Sequence, residues 1–255
     1  MAEIILSTRI IYSALLSLTV FAPLTSGADI IRIGGTGAAL TTMQQMGDAF
    51  SQVHPEHRIK VLPSLGSGGG IKALQGKALD IAVSSRELKP EETASGLVAT
   101  EYGRSPFVFA VQRNVPVSKI SLQDIADIYA GKKTKWDDGE LIRLVLRPKG
   151  DSDTQLLQSM SPAIEASLNI AYERQGMVIA MTDIDSADNL ESLPGSFGTT
   201  TLALILSENR KLKVLAIDGV KPDLGTIDDG RAPLKPLLYG FVERQKHFHR
   251  RRFIC

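Results

Sequence analysis

Two glycine- and serine-rich turns constrain this chain more than any other feature. The first, LGSGGG at residues 65–70, leads into the sequence IKAL, which predicts the start of a helix. The second, SSR at residues 84–86, follows the short apolar segment DIAV at residues 80–83. Turns of this kind present serine hydroxyls together with backbone N–H groups that no carbonyl satisfies. The pattern therefore predicts a binding site for an anion.

Short strands and helices alternate along the chain. Strands are predicted at 30–33, 58–62, 80–83, 107–111, 141–146 and 212–217, and helices at 38–53, 66–79, 121–130 and 154–167. Residues 199–206 form a further β-branched and apolar run. This alternation predicts an α/β fold in two lobes, with crossovers near Ser105 and Ser207.

The composition is that of a globular protein. The 255 residues are 43% hydrophobic and 22% charged, which is enough for one large domain or two lobes. The net charge is +1, but five basic residues lie among the last dozen positions, so the rest of the chain is mildly acidic. An acidic body argues against nucleic acid as a partner.

The first 28 residues resemble a secretory signal peptide. An apolar run from Ile10 to Leu24 is followed by small residues, which predicts cleavage near Ala28 and export of the protein. The alternative is a membrane anchor, but the run is shorter than the roughly 20 residues that a spanning helix needs. The single cysteine, Cys255, allows no internal disulfide, so stability is expected to come from packing.

Three loops in the first lobe are candidates for the anion site. They contain Thr36, Gly37 and Ala38 where a strand meets a helix, Ser67 at the start of a second helix, and the pair Ser84 and Ser85 after a strand. Each loop is expected to expose N–H donors. The alternative for any single loop is that its glycines only form tight turns and its serines only cap helices.

A fourth candidate segment follows the strand at 141–146. Arg147 can direct two N–H groups at an oxyanion, and Ser152 and Thr154 place hydroxyls at the start of a helix, with Asp153 between them. The alternative is an Asp- and Ser-rich helix cap beside a solvated arginine.

The order of these motifs, together with YAGK at residues 129–132 and Trp136, resembles the phosphate-binding proteins of ABC importers, which are type II periplasmic binding proteins. The resemblance runs from about Ile31 to Tyr239. It implies two α/β lobes with mixed sheets flanked by helices and a cleft between the lobes. Residues 1–28 are then the signal peptide, 29–104 and 208–255 form lobe 1, and 105–207 form lobe 2.

The resemblance also implies a function. The chain is expected to be a monomeric, ion-transport component that captures inorganic phosphate or a similar oxyanion for an ABC permease in the inner membrane. No catalytic residue, cofactor or metal is expected. Two other functions stay open at this point. One is a sensor or adhesive protein with the same fold. The other is a dinucleotide-binding oxidoreductase, suggested by the glycine turn at residues 34–37, which lacks the third glycine and the ribose-binding acidic residue.

By this resemblance, Ser67 occupies the first-lobe serine position, and Arg147, Ser152 and Thr154 occupy the second-lobe loop. The family's anion-binding threonine falls near Ala38 of this chain. The resemblance therefore implies that either the Thr36 hydroxyl or the backbone alone contacts the anion in this loop. The chain departs from the family at Ser85, where the family has an aspartate that accepts the proton of hydrogen phosphate. An acceptor is what rejects a fully ionised anion such as sulfate. The hypothesis is that Asp151 or Asp153 restores this acceptor.

The sequence after Tyr239 also departs from the family, which continues there through a closing strand or helix. Here Gly240 leads into a basic run from Arg244 to Arg252 that has no amphipathic period. A truncation or a shifted reading frame is the interpretation that this change of composition favours.

Overall fold

The computed structural model describes residues 29–223, 225–226 and 237–243. The strands are β1 (Asp29–Gly35), β2 (His57–Val61), β3 (Ile81–Ser84), β4 (Leu97–Arg104), β5 (Phe107–Gln112), β6 (Lys119–Ile120), β7 (Arg143–Leu146), β8 (Val178–Ile179), β9 (Ser196–Thr201), β10 (Leu212–Val214), β11 (Ala216–Ile217) and β12 (Leu237–Glu243). The helices are α1 (Gly37–Val53), α2 (Gly66–Gln75), α3 (Pro90–Ala94), α4 (Leu122–Tyr129), α5 (Ser152–Gln158), α6 (Pro162–Glu173), α7 (Asp183–Ser192) and α8 (Leu202–Ser207).

The first sheet has the strand order β2-β1-β3-β12-β4. β1 runs parallel to β2 and β3, and α1 and α2 provide the connections between these strands. β12 is antiparallel to both β3 and β4, so a strand from the far end of the chain lies inside this sheet. The carboxyl ends of β1 and β3 therefore lie side by side, which brings the loops after them together.

The second sheet has the strand order β10-β5-β9-β7-β8 and is also mixed. Its core contains a cluster of buried aromatic side chains. Phe197 stacks on Phe109 with ring centroids 5.5 Å apart, and the rings of Tyr129 and Trp136 meet Phe197 edge-on. Two mixed sheets with flanking helices confirm the predicted fold class.

Two predicted segments are divided differently in the structure. The predicted helix at 154–167 is two helices, because Pro162 cannot continue a helix but suits the first turn of α6, which Ser161 caps. The apolar run at 199–206 is half strand and half helix, since the Thr201 side chain accepts a hydrogen bond from the Leu204 N–H and starts α8. Strand β4 had no sequence-based prediction.

The predicted late strand at 212–217 is divided into two short strands, β10 and β11. β10 is antiparallel to β5, and β11 is parallel to β6. β10 thus belongs to the second sheet, and β11 forms a separate two-stranded sheet with β6, whereas the predicted division assigned residues 212–217 to lobe 1. The rest of the division stays a prediction.

A strand does continue past Tyr239, where the sequence was interpreted as departing from the family. β12 continues through Glu243, and Phe241 is fully buried against Ile71 and Leu74 of α2. The expectation that the strand gives way to the tail at Gly240 was therefore wrong, because Phe241 belongs to the core. The basic run from Arg244 and the predicted signal peptide at 1–28 lie outside the described residues.

The two sheets meet through the segment at Ser105 and through helix α1. The Ser105 hydroxyl oxygen accepts a hydrogen bond from the Ala203 N–H at 2.9 Å, where the chain crosses from β4 to β5. Thr41 of α1 donates to Glu208, which follows α8, at 2.8 Å. These contacts place the start of α1 beside the start of α7. Within the part of the chain that the structure describes, no helix is both long and apolar enough to cross a membrane.

Candidate functional site

The turn between β1 and α1 depends on a glycine. Gly35 has φ +139°, and a Cβ built on it would lie 2.0 Å from the Val83 carbonyl oxygen, so no other residue fits. The next residue, Thr36, donates its N–H to the same Val83 oxygen at 3.0 Å. The end of β1 is thereby held against β3, and α1 starts immediately afterwards.

Helices α1 and α2 both begin without a side-chain cap. The start of α2 is held next to Gly35, because the Leu65 N–H donates to the Gly35 oxygen at 3.0 Å and a Cβ on Gly70 would lie 2.6 Å from the Gly35 Cα. A Cβ on Gly66 or Gly68 would meet nothing within 4 Å, so the first turn of α2 faces open space. The first N–H groups of two neighbouring helices are therefore left without capping side chains.

Three predicted hydroxyl residues of the first lobe lie in one hydrogen-bonded chain. Ser67 accepts the Ser85 N–H at 3.0 Å, and the Ser85 and Thr36 hydroxyl oxygens are 3.0 Å apart. Ser84 does not join them, because its hydroxyl accepts from the Arg86 N–H and donates to the Arg86 oxygen within its own turn. The structure thus brings Thr36, Ser67 and Ser85 together at the starts of α1 and α2.

Arg147 follows β7 and is only 3% exposed, so the alternative of a solvated arginine was wrong. Its Nη1 donates to the Ala180 carbonyl oxygen at 2.8 Å, and its Nη2 donates to Asp151 at 3.0 Å. Its Nε is buried and has no partner within the described part of the chain. Asp151 also caps α5 by accepting the Asp153 N–H at 3.0 Å, so the cap is present and the arginine is buried behind it.

The remaining residues of the second-lobe segment differ in accessibility. Thr154 is 1% exposed, and its hydroxyl lies 2.9 Å from the Pro148 carbonyl oxygen and 3.1 Å from the Tyr172 hydroxyl. The Thr154 hydroxyl therefore holds the loop between Arg147 and α5 in place. Ser152 is half-buried at the first position of α5. Asp153 is 3% exposed, and its Oδ2 has no hydrogen-bond partner in the described residues.

Asp183 links the two halves of the site, and it was not among the residues predicted from the sequence. Its Oδ2 accepts a hydrogen bond from the Thr36 hydroxyl at 3.0 Å, and its Oδ1 lies 3.9 Å from Arg147 Nη2. It is the first residue of α7, whose cap Thr182 forms a capping box with Asp185. The TDID sequence could have revealed this helix start, but not a contact with a residue 147 positions away.

Three carboxyl groups, those of Asp151, Asp153 and Asp183, interact with the one guanidinium of Arg147. Burial opposes the charge of Arg147, but Asp183, Asp151 and Asp153 outweigh it and raise the pKa of the guanidinium above its usual value. Burial raises the pKa of Asp151, although Arg147 counteracts it. Burial, reinforced by Asp183 and Asp151, raises the pKa of Asp153 well above its usual range. Of Asp151 and Asp153, it is therefore Asp153 that favours the neutral form more strongly.

Asp153 makes the stability of the protein depend on pH. Its folded-state pKa is raised, so between the ordinary aspartate pKa of about 3.9 and the raised value the folded protein holds a proton that the unfolded chain releases. Stability is lost as the pH rises through that window. We expect Asp153→Asn to unfold at higher denaturant concentration than the wild type at pH 8, and the difference to vanish near pH 4. Equal pH dependence of both proteins would contradict the assignment.

A separate cavity of about 360 Å³ lies in the second sheet region, between β6, α4 and the turn at Asp218. Its lining mixes apolar side chains such as Val117 with the charged pair Lys133 and Asp124. None of the predicted site residues lines it. The candidate anion site lies instead where several loops meet. Within the described ranges, no three His, Cys, Asp or Glu side chains are arranged to hold a metal ion.

Comparisons with known proteins agree on the fold. Residues 22–250 match a model of the PBP superfamily domain. The phosphate-binding protein PstS 2 of Streptococcus pneumoniae is 32% identical over 107 residues, which cover 42% of this chain and 36% of that protein, about a third of its length. The phosphate ABC transporter substrate-binding protein of Clostridium perfringens, solved with bound phosphate, has a TM-score of 0.71 at 20% identity over 84% of this chain and 86% of that one. An ABC-type phosphate transport receptor of Vibrio cholerae has a TM-score of 0.57 at 18% identity, covering 85% and 88%.

Proposed function

Because the chain belongs to the PBP superfamily, we propose that it is a solute-binding protein that captures phosphate or a similar tetrahedral oxyanion for an ABC importer. One observation carries this proposal. The uncapped N-termini of α1 and α2 meet the hydroxyls of Thr36, Ser67 and Ser85, and this group is linked through Asp183 to the buried guanidinium of Arg147.

The donors in this arrangement suit an oxyanion. Free N–H groups at a helix start point at a bound anion, and the helix dipole favours negative charge there. Hydroxyls can donate to any remaining oxygen. The first turn of α2 faces open space at Gly66 and Gly68, which allows an anion to approach its N–H groups. Most of the binding would thus come from neutral donors, with Arg147 as the buried cation.

The proposed activity is binding and release without chemistry. Donors from both sheets contribute, so an oxyanion that contacts both would favour the arrangement in which the sheets are close together. The proposed partners follow from the same function. They are the oxyanion and the permease of an ABC importer, with the protein acting as a monomer in the periplasm after removal of residues 1–28.

A thermal-shift and calorimetry experiment tests this function. The protein is mixed separately with inorganic phosphate, arsenate, molybdate and sulfate at constant ionic strength. A ligand of this site at about 100 times its Kd stabilises the folded state by roughly 2.7 kcal/mol, which raises the melting temperature measurably. If none of the four anions shifts the melting temperature or gives a binding isotherm, the proposed function is wrong.

A pair of serine variants connects binding to this site. We expect Ser67→Ala to weaken anion binding by about 1 kcal/mol, because it removes a hydroxyl at the start of α2 and leaves the Ser85 N–H without its partner. Ser51→Ala is the control, since Ser51 lies near the other end of α1. Calorimetry should show unchanged affinity for the control. Equal affinities for both variants would place the anion elsewhere.

A further inference from the structure

Asp183 contacts donors on both sides of the site. Its Oδ2 accepts from the Thr36 hydroxyl, and its Oδ1 lies 3.9 Å from Arg147. It also approaches the backbone at the start of α1, because a Cβ on Gly37 would lie 3.2 Å from Asp183 Oδ2. The side chain is 5% exposed, so water screens these contacts little.

These contacts are the ones that the proposed function assigns to an oxyanion. A carboxylate is itself an oxyanion, with two oxygens that accept hydrogen bonds from a hydroxyl, from helix N–H groups and from a guanidinium. Asp183 brings such a group from α7 into the position between Thr36, Gly37 and Arg147. The chain therefore supplies an anion of its own to this site.

We propose, resting on the proposed function, that Asp183 is an internal competitor that sets the affinity of the site for oxyanions, because its carboxylate holds the Thr36 hydroxyl and lies beside the guanidinium of Arg147, both of which an entering anion needs. An entering oxyanion displaces this carboxylate from Thr36 and Arg147 or binds beside it. In both cases the negative charge of Asp183 weakens the binding of a second negative charge.

The other charged groups that face Asp183 strengthen this effect. Arg147 is the cation of the cluster, and it already donates to Asp151 at 3.0 Å. Asp153 is a third carboxyl group that interacts with Arg147, although burial favours its neutral form. One guanidinium thus serves several carboxyl groups, so an arriving anion finds little unused positive charge. Removing the Asp183 carboxylate leaves the positive charge of Arg147 less neutralised, and it lowers the repulsion of an arriving anion at the same time.

The test measures the Kd of inorganic phosphate and of sulfate by calorimetry for the wild type and Asp183→Asn. We expect the variant to bind both anions about tenfold more tightly or better, since it removes a buried charge within a few ångströms of the site. Asp188→Asn is the matched control because it removes the same charge from the same helix, at a side chain that is 60% exposed. Its Kd values should stay within about twofold of the wild type.

Each outcome supports or overturns the proposal. Tighter binding of both anions by Asp183→Asn, with the control unchanged, supports the competitor. Weaker phosphate binding with tighter sulfate binding overturns it, because that result means that Asp183 accepts a hydrogen bond from the O–H group of hydrogen phosphate. Unchanged or weaker binding of both anions also overturns it. If neither the wild type nor the variant binds, the proposed function itself fails. Asp183→Ser, which keeps a residue favoured at helix starts, is judged by the same criteria if the asparagine variant does not fold.

Discussion

Arg147→Ala is expected to cost about 3–5 kcal/mol of unfolding free energy, the range for breaking a buried ion pair. The substitution leaves Asp151, Asp153 and Asp183 close together without their cation, and it removes the donor to the Ala180 carbonyl. Oxyanion binding should weaken by a further 2 to 4 kcal/mol or so, since a charge-assisted contact is lost. Denaturant unfolding and calorimetry measure the two effects separately.

Two further variants serve as comparisons, the charge-conserving Arg147→Lys and the control Arg143→Ala. The lysine keeps the charge but has one nitrogen in place of the two separate nitrogens with which Arg147 reaches Ala180 and Asp151, so it should recover part of the stability and little of the binding. Arg143 is the first residue of β7, the strand that Arg147 follows; it is exposed and donates to the Pro194 carbonyl at 2.6 Å. Its replacement should cost about 1 kcal/mol or less. A wild-type unfolding curve for Arg147→Ala would show that the carboxyl groups do not depend on this arginine.

Gly35→Ala is expected to cost about 2–4 kcal/mol of stability and to abolish oxyanion binding. A methyl group would lie 2.0 Å from the Val83 oxygen, and φ +139° is a conformation that alanine rarely adopts. Relief requires β1 and β3 to separate where Thr36 and Ser85 meet. Thermal unfolding and phosphate calorimetry measure both consequences.

Gly103→Ala is the matched glycine control. Gly103 lies in β4 of the same sheet, and a Cβ there would meet nothing within 4 Å. The variant should melt within a few degrees of the wild type and keep its affinity. If Gly35→Ala behaved in the same way, the tight junction of β1 and β3 would be unnecessary for the site.

The first-lobe part of the site could be predicted because its signals are local. Thr36, Ser67 and Ser85 each lie where a short strand meets a glycine or serine turn, and that chemistry is visible within a few residues. The parallel pairing of β1 with β3 then brings the turns together. Arg147 was also identified by its position directly after a strand, although its burial is a tertiary property.

The missed features depend on distant contacts or on ambiguous patterns. Asp183 is an ordinary first-turn carboxylate in the sequence, and only the meeting of α1 with α7 makes it part of the site. Helix α8 was hidden because its apolar residues follow the β-branched threonines at the end of β9 without a break. The second-sheet position of β10 could not be predicted, because a three-residue strand carries no information about its partner.

The position of β12 has a consequence for how the protein matures. Among the strands that the structure describes, β4 pairs only with β12, and β12 also pairs with β3. Within this described part, residues 97–104 therefore have no ladder partner until residues 237–243 have been synthesised. The first sheet stays incomplete while the residues between β4 and β12 are translated. Completing this sheet thus depends on pairings between segments that are far apart in the sequence, and such long-range pairings slow folding.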